Sequence, residues 1–261
     1  METLDINEII KLLFVLSIAA SVAGFMAGLL GVGGGIIIVP ALYYAFTVLD
    51  FDIATRMHLS VGTSLAIIIP TSIISTKTHM EYDAVDFELI KSFGLFILFG
   101  VIGGTFLAVN LKTPAFILFF SIMAFIVGLF FIFFREQLLK NPKMISDSAK
   151  NVSGVIIGFI SVLLGIGGGS LMVPFMRTFG YDIRRSIGTA AGVGFLIAVF
   201  GTITMITGGK IVDNISTPYS FGYVNLIGFL VFVPVTMIMA RVGAKAVYKI
   251  DKNILSKIFG I

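Results

Sequence analysis

Two copies of one glycine-rich signature lie about half a chain apart, and their backbone is suited to binding chemistry. The first copy, LGVGGG at 30–35, leads on to Pro40, and the second, LGIGGG at 164–169, leads on to Pro174. Glycines and prolines are displaced by the same 134 positions. A glycine break leaves backbone N–H groups free at the start of the next helix, where the helix dipole adds about half a positive charge. The pattern therefore indicates that backbone amides bind an anion.

Glycines also let the backbone approach a ligand closely, because they carry no side chain. The alternative interpretation is that they only permit tight packing of membrane helices. The duplication favours binding, since paired glycine-broken helices in a membrane chain point to a substrate site. The candidate ligands are the glycines of both turns and the serine that follows the second turn: Gly33, Gly34, Gly35, Gly167, Gly168, Gly169 and Ser170.

Hydroxyl side chains form a second group of candidates. In the third apolar segment they recur at spacings of four, seven and four residues from Ser60 to Ser75, so they share one helical face. Ser64 on this face, Thr63 beside it and Thr189 at the related place in the second half could donate to an anion. The alternative, hydrogen bonding within or between helices, stays open for these three residues.

Charged and titratable residues are scarce in the apolar segments. His58 begins the third segment and His79 follows it, so both are expected near membrane interfaces. His58 could respond to pH or pair with an anion, and a plain interfacial role is the alternative. Arg56, Arg184 and Arg185 could attract anions, although the last two also fit the role of cytoplasmic anchors. No Asp or Glu lies well inside an apolar segment, so a carboxylate relay for protons is not evident.

Composition defines the class of protein. The 261 residues are 57% hydrophobic and 12% charged, about half the charge of a soluble domain. Several apolar runs reach the roughly 20 residues that a membrane-spanning helix needs. The absence of cysteine excludes disulfides and thiolate chemistry, and a net charge of +4 gives no nucleic-acid signal. The chain is predicted to be a multi-pass protein of the cell membrane with no catalytic residue, metal or cofactor.

The apolar segments divide the chain into two similar halves. The predicted segments are 9–30, 36–49, 58–76, 87–110 and 114–134 in the first half, and 151–166, 170–180, 186–207 and 222–248 in the second. This gives an N-terminal repeat over 1–134, a cytoplasmic connector over 135–150 and a C-terminal repeat over 151–261. The repeat predicts a fifth segment in the second half, so the last helix is expected to be truncated.

The distribution of cations predicts how the halves are oriented. If the short second segment of each half crosses the membrane, one side collects 14 Lys and Arg residues and the other keeps Lys11, Arg56, Lys112 and Lys210. If it dips in and returns, the cations divide eight against ten. The positive-inside rule favours crossing. The predicted fold is an all-α membrane protein with two inverted repeats of about five helical segments, whose glycine-broken helices meet at the repeat interface.

At these residues the chain resembles the sulfite exporter TauE/SafE family of membrane permeases. The resemblance rests on G-x-G-G-G-x-x-x-x-P in both halves, and on the later segments VGTS at 61–64 and IGTA at 187–190. It covers essentially the whole chain apart from the expected last helix. Membership would imply transport of small sulfur-containing anions such as sulfite or organosulfonates across the lipid bilayer.

The leading prediction is a secondary transporter that moves such an anion by alternating access. No P-loop of the G-x-x-x-x-G-K-[ST] type supports coupling to ATP. Proton coupling and potential-driven uniport both stay open, as does the oligomeric state. An anion channel is the nearest alternative. An intramembrane enzyme is the alternative from another class, although a serine nucleophile would need a base in reach and Ser170 has no histidine near it in the sequence.

Overall fold

The chain folds into a layered bundle of helices, as the all-α prediction requires. The computed structural model describes residues 6–133, 145–212, 217–252 and 254–255. The elements are α1 (Ile6–Leu30), α2 (Gly35–Val48), α3 (Arg56–Met80), α4 (Phe87–Asn110), α5 (Thr113–Phe133), α6 (Asp147–Leu163), α7 (Gly169–Thr178), α8 (Ile183–Val212), β1 (Ser220–Phe221), β2 (Val224–Asn225) and α9 (Leu226–Lys249). By length and composition, α1, α3, α4, α8 and α9 can each cross a bilayer.

Most predicted segments coincide with these helices to within about five residues at each end. Helix α6 begins inside the predicted connector, because the Ser146 hydroxyl caps it by accepting a hydrogen bond from the backbone N–H of Ala149. Strands β1 and β2 form a short antiparallel pair that the apolar pattern does not signal. The rest of the connector, 134–144, and most of the expected last helix lie outside the described residues.

Each half lays its first helix against the fourth helix of the other half. A Cβ at Gly24 of α1 would lie 2.6 Å from the Thr236 carbonyl oxygen in α9, and one at Gly158 of α6 would lie 2.4 Å from the Ile97 oxygen in α4. The contacts correspond, because 134 positions relate Gly24 to Gly158 and 139 positions relate Ile97 to Thr236. The packing of the halves is reciprocal: α1 lies on α9 as α6 lies on α4.

Helices α3 and α8 run antiparallel through the middle of the bundle. Most residues of α3 are buried. In the first half of α3, Leu65 packs on Gly201 in the later part of α8, where a Cβ would lie 3.0 Å from the leucine Cδ1. Near the end of α3, Thr76 packs on Gly192 in the earlier part of α8, where a Cβ would lie 3.7 Å from the threonine Cγ2. These two helices carry the G-T segments, so the G-T segments of the two halves lie toward opposite ends of one central pair.

One end of the molecule is built around Asn225, and we call it the Asn225 end. Helices α3 and α9 begin there, and α4 ends there. The Asn225 side chain caps α9 by accepting from the backbone N–H of Gly228 at 2.8 Å. A Cβ at Gly62 of α3 would lie 2.2 Å from the Tyr223 carbonyl oxygen. The glycine of the first G-T segment therefore allows α3 to pack directly on the chain that leads into α9.

The opposite end is built in the same way around Asp86, and we call it the Asp86 end. Helices α4 and α8 begin there, and α3 and α9 end there. The Asp86 side chain caps α4 by accepting from the backbone N–H of Leu89 at 3.0 Å. A Cβ at Gly188 of α8 would lie 2.3 Å from the Ala84 carbonyl oxygen. The two ends thus repeat one design with the halves exchanged.

The second helix of each half is short and begins near the middle. Helix α2 has 14 residues and α7 has 10, which gives lengths of about 21 and 15 Å against a hydrocarbon core of about 30 Å. Each folds back on the helix before it, because Gly34 packs on Ala23 of α1 and Gly168 packs on Ile157 of α6. The second segments are therefore short helices that leave the centre in opposite directions, and their crossing of the membrane stays a prediction.

Candidate functional site

The two glycine turns lie in direct contact at the centre of the bundle. A Cβ at Gly35 would lie 2.0 Å from the Gly165 carbonyl oxygen, and a Cβ at Gly169 would lie 2.0 Å from the Gly31 oxygen. These contacts are the same contact with the halves exchanged, since 134 positions relate both pairs.

A backbone hydrogen bond joins the turns directly. The N–H of Gly167 donates to the Val32 carbonyl at 3.0 Å, and a Cβ at Gly33 would lie 3.0 Å from the Gly167 Cα. The predicted turns of the two halves thus form one structural unit.

The backbone of the turns requires glycine. Gly34, the residue before α2, has φ 79° and ψ 0°, and Gly168, the residue before α7, has φ 74° and ψ −14°. This left-handed conformation is accessible to glycine and strained for almost every other residue. The Gly34 carbonyl accepts from Ile37 and Ile38, so α2 starts with its first turn closed. The Gly168 carbonyl accepts from Leu171 and Met172 in the same way.

Neither of these helices has a side-chain cap at its N-terminus. The first N–H groups of an α-helix have no partner within the helix, and the dipole makes this end positive. Here two such ends approach one another in the buried centre, where little water screens their potential. The arrangement suits a small anion that accepts hydrogen bonds from backbone amides.

Two buried serine hydroxyls lie at the second turn. Ser170 follows Gly169 in the first turn of α7, and Ser161 Oγ would lie 3.5 Å from a Cβ at Gly168. Both side chains are fully buried, and neither Oγ has a hydrogen-bond partner within the described residues. Sequence reasoning found Ser170 but missed Ser161, whose only signal is that it is a serine in an apolar run that ends in the glycine turn.

The Ser64 hydroxyl supports a glycine turn from the neighbouring helix. It donates to the carbonyl oxygen of Gly165 at 2.8 Å, across 101 residues of sequence. The structure therefore places Ser64 beside the second glycine turn, and its contact with a substrate stays a prediction. In this conformation its hydroxyl proton is directed to the backbone rather than to open space.

The two G-T threonines hold helix starts. The Thr63 Oγ1 accepts from the backbone N–H of Asn225 at 2.9 Å, and the Thr189 Oγ1 accepts from the N–H of Asp86 at 3.0 Å. Each threonine therefore fixes the first turn of the other half's fourth helix. Their direct contact with a substrate stays a prediction, and the interhelical role that was the alternative accounts for their position.

The two histidines lie near helix ends, but they are buried rather than exposed to the membrane interface. His58 is 3% exposed. Its Nε2 lies 3.0 Å from the Ala108 carbonyl oxygen near the end of α4, and its ring stacks on Tyr223 and meets Phe116 edge-on. His79 belongs to α3 and is 0% exposed. Other helices cover both side chains, and their position near the membrane interfaces stays a prediction.

The arginines that were candidates for attracting anions also bond to the protein. Arg56 donates to the Phe51 carbonyl at 2.6 Å, and Arg184 donates to the Ile250 carbonyl at 3.0 Å. Arg185 pairs with Asp86 at 2.9 Å. Their role in attracting anions stays a prediction.

Asp182, before α8, pairs with Lys252 at 2.5 Å. Partial burial would raise the pKa of Asp182, but Lys252 and backbone hydrogen bonds hold it below its usual range. Among the residues that the structure describes, no three His, Cys, Asp or Glu side chains group closely enough to hold a metal ion.

A helical bundle with buried, duplicated glycine-broken helices defines the class of the protein: it is a multi-pass membrane transport protein. The family model of the sulfite exporter TauE/SafE family matches residues 16–261. The chain belongs to this family, which confirms the resemblance seen in the sequence. Family membership points to transport rather than catalysis, so the intramembrane enzyme is set aside.

Curated relatives agree with this assignment. A probable membrane transporter protein of Haemophilus influenzae is 28% identical over 245 residues, which cover 94% of this chain and 92% of the relative. One of Methanocaldococcus jannaschii is 29% identical over 273 residues, with 97% and 95% covered. One of Bacillus subtilis is 27% identical over 216 residues, with 76% and 79% covered. No solved structure matches the chain.

Proposed function

We propose that the protein is a secondary carrier of small sulfur-containing anions, such as sulfite or organosulfonates, in the cell's cytoplasmic membrane. The substrate would be held by the backbone amides of the two glycine turns. The family name supports a sulfur oxyanion or sulfonate as the cargo. Such an anion offers several oxygen acceptors, which suits a site made of N–H and O–H donors.

The observation that carries this proposal is the meeting of two uncapped helix starts in a buried centre. A buried anion needs hydrogen-bond donors and positive potential, since an unpaired charge there is costly. The α2 and α7 starts supply both without a charged side chain. Ser161 and Ser170 add hydroxyls whose hydrogen-bonding capacity is unused within the described chain.

The reciprocal packing supports alternating access. We infer that residues 1–134 and 151–261 act as inverted repeats, with 135–150 as the cytoplasmic connector. Because each half presents the same contacts to the other, exchanging their conformations would open the centre to the opposite side. The cation-rich Asp86 end would face the cytoplasm and the Asn225 end the outside.

Ligand-dependent stability identifies the substrate. We expect one or more of sulfite, thiosulfate, sulfoacetate and taurine to raise the melting temperature of the detergent-purified protein, with sulfate as the comparison anion. A ligand at 100 times its Kd adds about 2.7 kcal/mol to the free energy of unfolding. Counterflow and saturable flux of that compound in proteoliposomes would establish a carrier, whereas ohmic single-channel currents would show an anion channel.

Serine variants test the site without disturbing the turns. Larger residues at Gly34 or Gly168 would mainly test packing and backbone strain, since both have positive φ. Ser161→Ala and Ser170→Ala instead remove hydroxyls that have no partner in the described chain. A hydrogen bond to a charged group contributes about 1.5–3 kcal/mol, so each variant should weaken binding of the stabilising anion about tenfold or more.

The matched control is Thr202→Val. Its hydroxyl is also buried and without a partner among the described residues, and it lies eight positions along α8 from Gly194, which packs on Gly167. This variant should bind the anion as the parent does. Unchanged affinity in both serine variants, with unchanged melting temperatures of the free proteins, would remove these hydroxyls from the site.

A further inference from the structure

A buried histidine ties three helices together at the Asp86 end. His79 Nε2 lies 3.1 Å from the Gly28 carbonyl oxygen of α1, and Nδ1 lies 2.8 Å from the Tyr248 hydroxyl of α9. Gly188 of α8 packs against the His79 side chain, since a Cβ there would lie 3.0 Å from the His79 Cβ. The imidazole is 0% exposed. It therefore closes the junction of α1, α3 and α9 at this end.

The hydrogen bonds of this closed junction fit a neutral imidazole. A carbonyl oxygen can only accept, so Nε2 carries a proton and donates it to Gly28. In the neutral imidazole Nδ1 is then an acceptor, and the Tyr248 hydroxyl donates to it. Both nitrogens are satisfied with one proton between them. A second proton at Nδ1 would remove the acceptor that Tyr248 uses.

Among the described residues, no carboxylate forms a hydrogen bond or ion pair with His79. Helix α1 contributes the Gly28 carbonyl, and the Tyr82 ring stacks on Tyr248 with centroids 3.7 Å apart. The Arg184 guanidinium of α8 lies over the Tyr248 ring, 5.6 Å from its centroid. Among the described charged groups around this end, Asp86 pairs with Arg185, Asp182 pairs with Lys252, and Glu81 lies 4.0 Å from Arg241. The α3 cation Lys77 lies two positions before His79. The closed junction thus favours the neutral imidazole.

The junction is not repeated at the Asn225 end. The displacement of 126 positions that relates Gly62 to Gly188 brings His79 to Met205, and the displacement of 139 positions that relates Asp86 to Asn225 brings Val109 to Tyr248. Methionine and valine cannot form the hydrogen-bonded pair. The two ends share their packing but differ in their histidine contacts: at the Asn225 end, His58 meets the Ala108 carbonyl and stacks on Tyr223.

We propose that His79 and Tyr248 form a proton-sensitive latch that holds the Asp86 end of the transport path closed. This inference rests on the proposed alternating-access carrier and adds a role for protons to it. When the latch opens, water reaches the imidazole, which takes up a proton near pH 6.5, about the usual value for histidine. Because the open form binds more protons than the closed form, lowering the pH favours opening at this end.

The natural absence of cysteine allows a clean test. Ser75 lies one helical turn before His79, is 1% exposed, and its hydroxyl has no partner within the described residues. A Ser75→Cys reporter should therefore become accessible to a water-soluble maleimide only when the latch opens. The labelling rate is measured in nanodiscs from pH 5.5 to pH 8, in the parent background and with His79→Gln. The ratio of the two rates cancels the pH dependence of the thiol itself.

The labelling rate in the parent background, divided by the rate with His79→Gln, should rise about tenfold from pH 8 to pH 5.5. An imidazole that is protonated only in the open form shifts the opening equilibrium by that factor. Tyr248→Phe, which removes the donor but keeps the imidazole, should raise labelling at pH 8 and retain the pH dependence. A pH-independent ratio would overturn the latch. So would unchanged labelling at pH 8 in Tyr248→Phe, or a reporter that is never labelled.

This test uses no substrate and changes no residue of the glycine turns. If the serine variants bind anions normally while the labelling results hold, the proposed binding site fails and the latch stands. If anion binding depends on the serines while the labelling ratio is flat, the latch alone fails.

Discussion

Gly35 and Gly169 occupy positions where the backbones of the two halves touch, so a side chain at either position would meet a carbonyl oxygen of the other half. The same turns expose helix starts, because the left-handed glycines before them turn the chain sharply. Packing and binding are therefore joint consequences of one backbone geometry. A test of single glycines must therefore compare a position where a Cβ would clash with a position where it would meet no neighbour.

Gly35→Ala should destabilise the protein, whereas Gly128→Ala should not. A Cβ at Gly35 would lie 2.0 Å from the Gly165 oxygen, while one at Gly128 of α5 would meet nothing within 4 Å. Overpacking costs about 1–3 kcal/mol, while alanine in an open helical position gains up to about 1 kcal/mol over glycine. Thermal unfolding followed by circular dichroism should show a lower melting temperature for Gly35→Ala only. Equal melting temperatures would contradict the tight central contact.

The glycine turns could be predicted from the sequence because their need for glycine is local and the motif occurs in both halves of the chain. The serine and threonine roles could not, because each depends on a partner far along the chain. Ser64 meets Gly165 across 101 residues and Thr63 meets Asn225 across 162. A hydroxyl spacing shows which helix face a residue shares, but only the packing of the other half shows what that face meets.

At the level of helices, each G-T segment packs against the start of a helix from the other half and accepts a hydrogen bond from it. Glycine allows the close approach and threonine accepts the first backbone N–H of the cap, at Asn225 in one case and at Asp86 in the other. This explains why the G-T pair recurs although its neighbours differ. The two ends should therefore respond alike to the same substitution.

Thr63→Val and Thr189→Val should each lower stability by a similar amount. Valine keeps the shape but leaves a backbone N–H without its acceptor, which costs about 1–3 kcal/mol in a buried site. Thr63→Ser and Thr189→Ser keep the oxygen and serve as matched controls. Chemical or thermal unfolding of the four purified variants measures the effect. If the valine and serine variants were equally stable at either end, that threonine would not hold the helix start.

Helix boundaries followed well from the sequence because long apolar runs end at polar turns, but the paths of α2 and α7 did not. Their apolar pattern alone is compatible with a span and with a re-entrant segment, and the cation count favours a span. Only the contact of Gly34 with Ala23 shows that α2 begins near the centre and packs against α1. Likewise, β1 and β2 are too short to leave a periodic signal. Local composition defines the helix, whereas long-range contacts define where it starts in the bundle.

At the level of the whole molecule, the two ends defined by the reciprocal packing also differ in their number of cations. The Asn225 end carries few cations in the described chain: Lys11, Arg56, Lys112 and Lys210. The Asp86 end carries many more: Lys77, Lys91, Lys150, Arg177, Arg184, Arg185, Arg241, Lys245, Lys249 and Lys252. The two ends thus share one backbone design but differ in charge. The positive-inside rule predicts that the cation-rich Asp86 end faces the cytoplasm.

Single cysteines at the two ends test this orientation in intact cells. Ile53, 65% exposed in the loop between α2 and α3, lies at the Asn225 end, and Lys249, the exposed last residue of α9, lies at the Asp86 end. A membrane-impermeant maleimide should label Ile53→Cys in intact cells and Lys249→Cys only after permeabilisation. The reverse pattern would place the Asp86 latch outside the cell and reverse the direction in which acid opens the carrier. Labelling of both sites from outside would contradict the two-ended arrangement itself, because the ends would then share one side of the membrane.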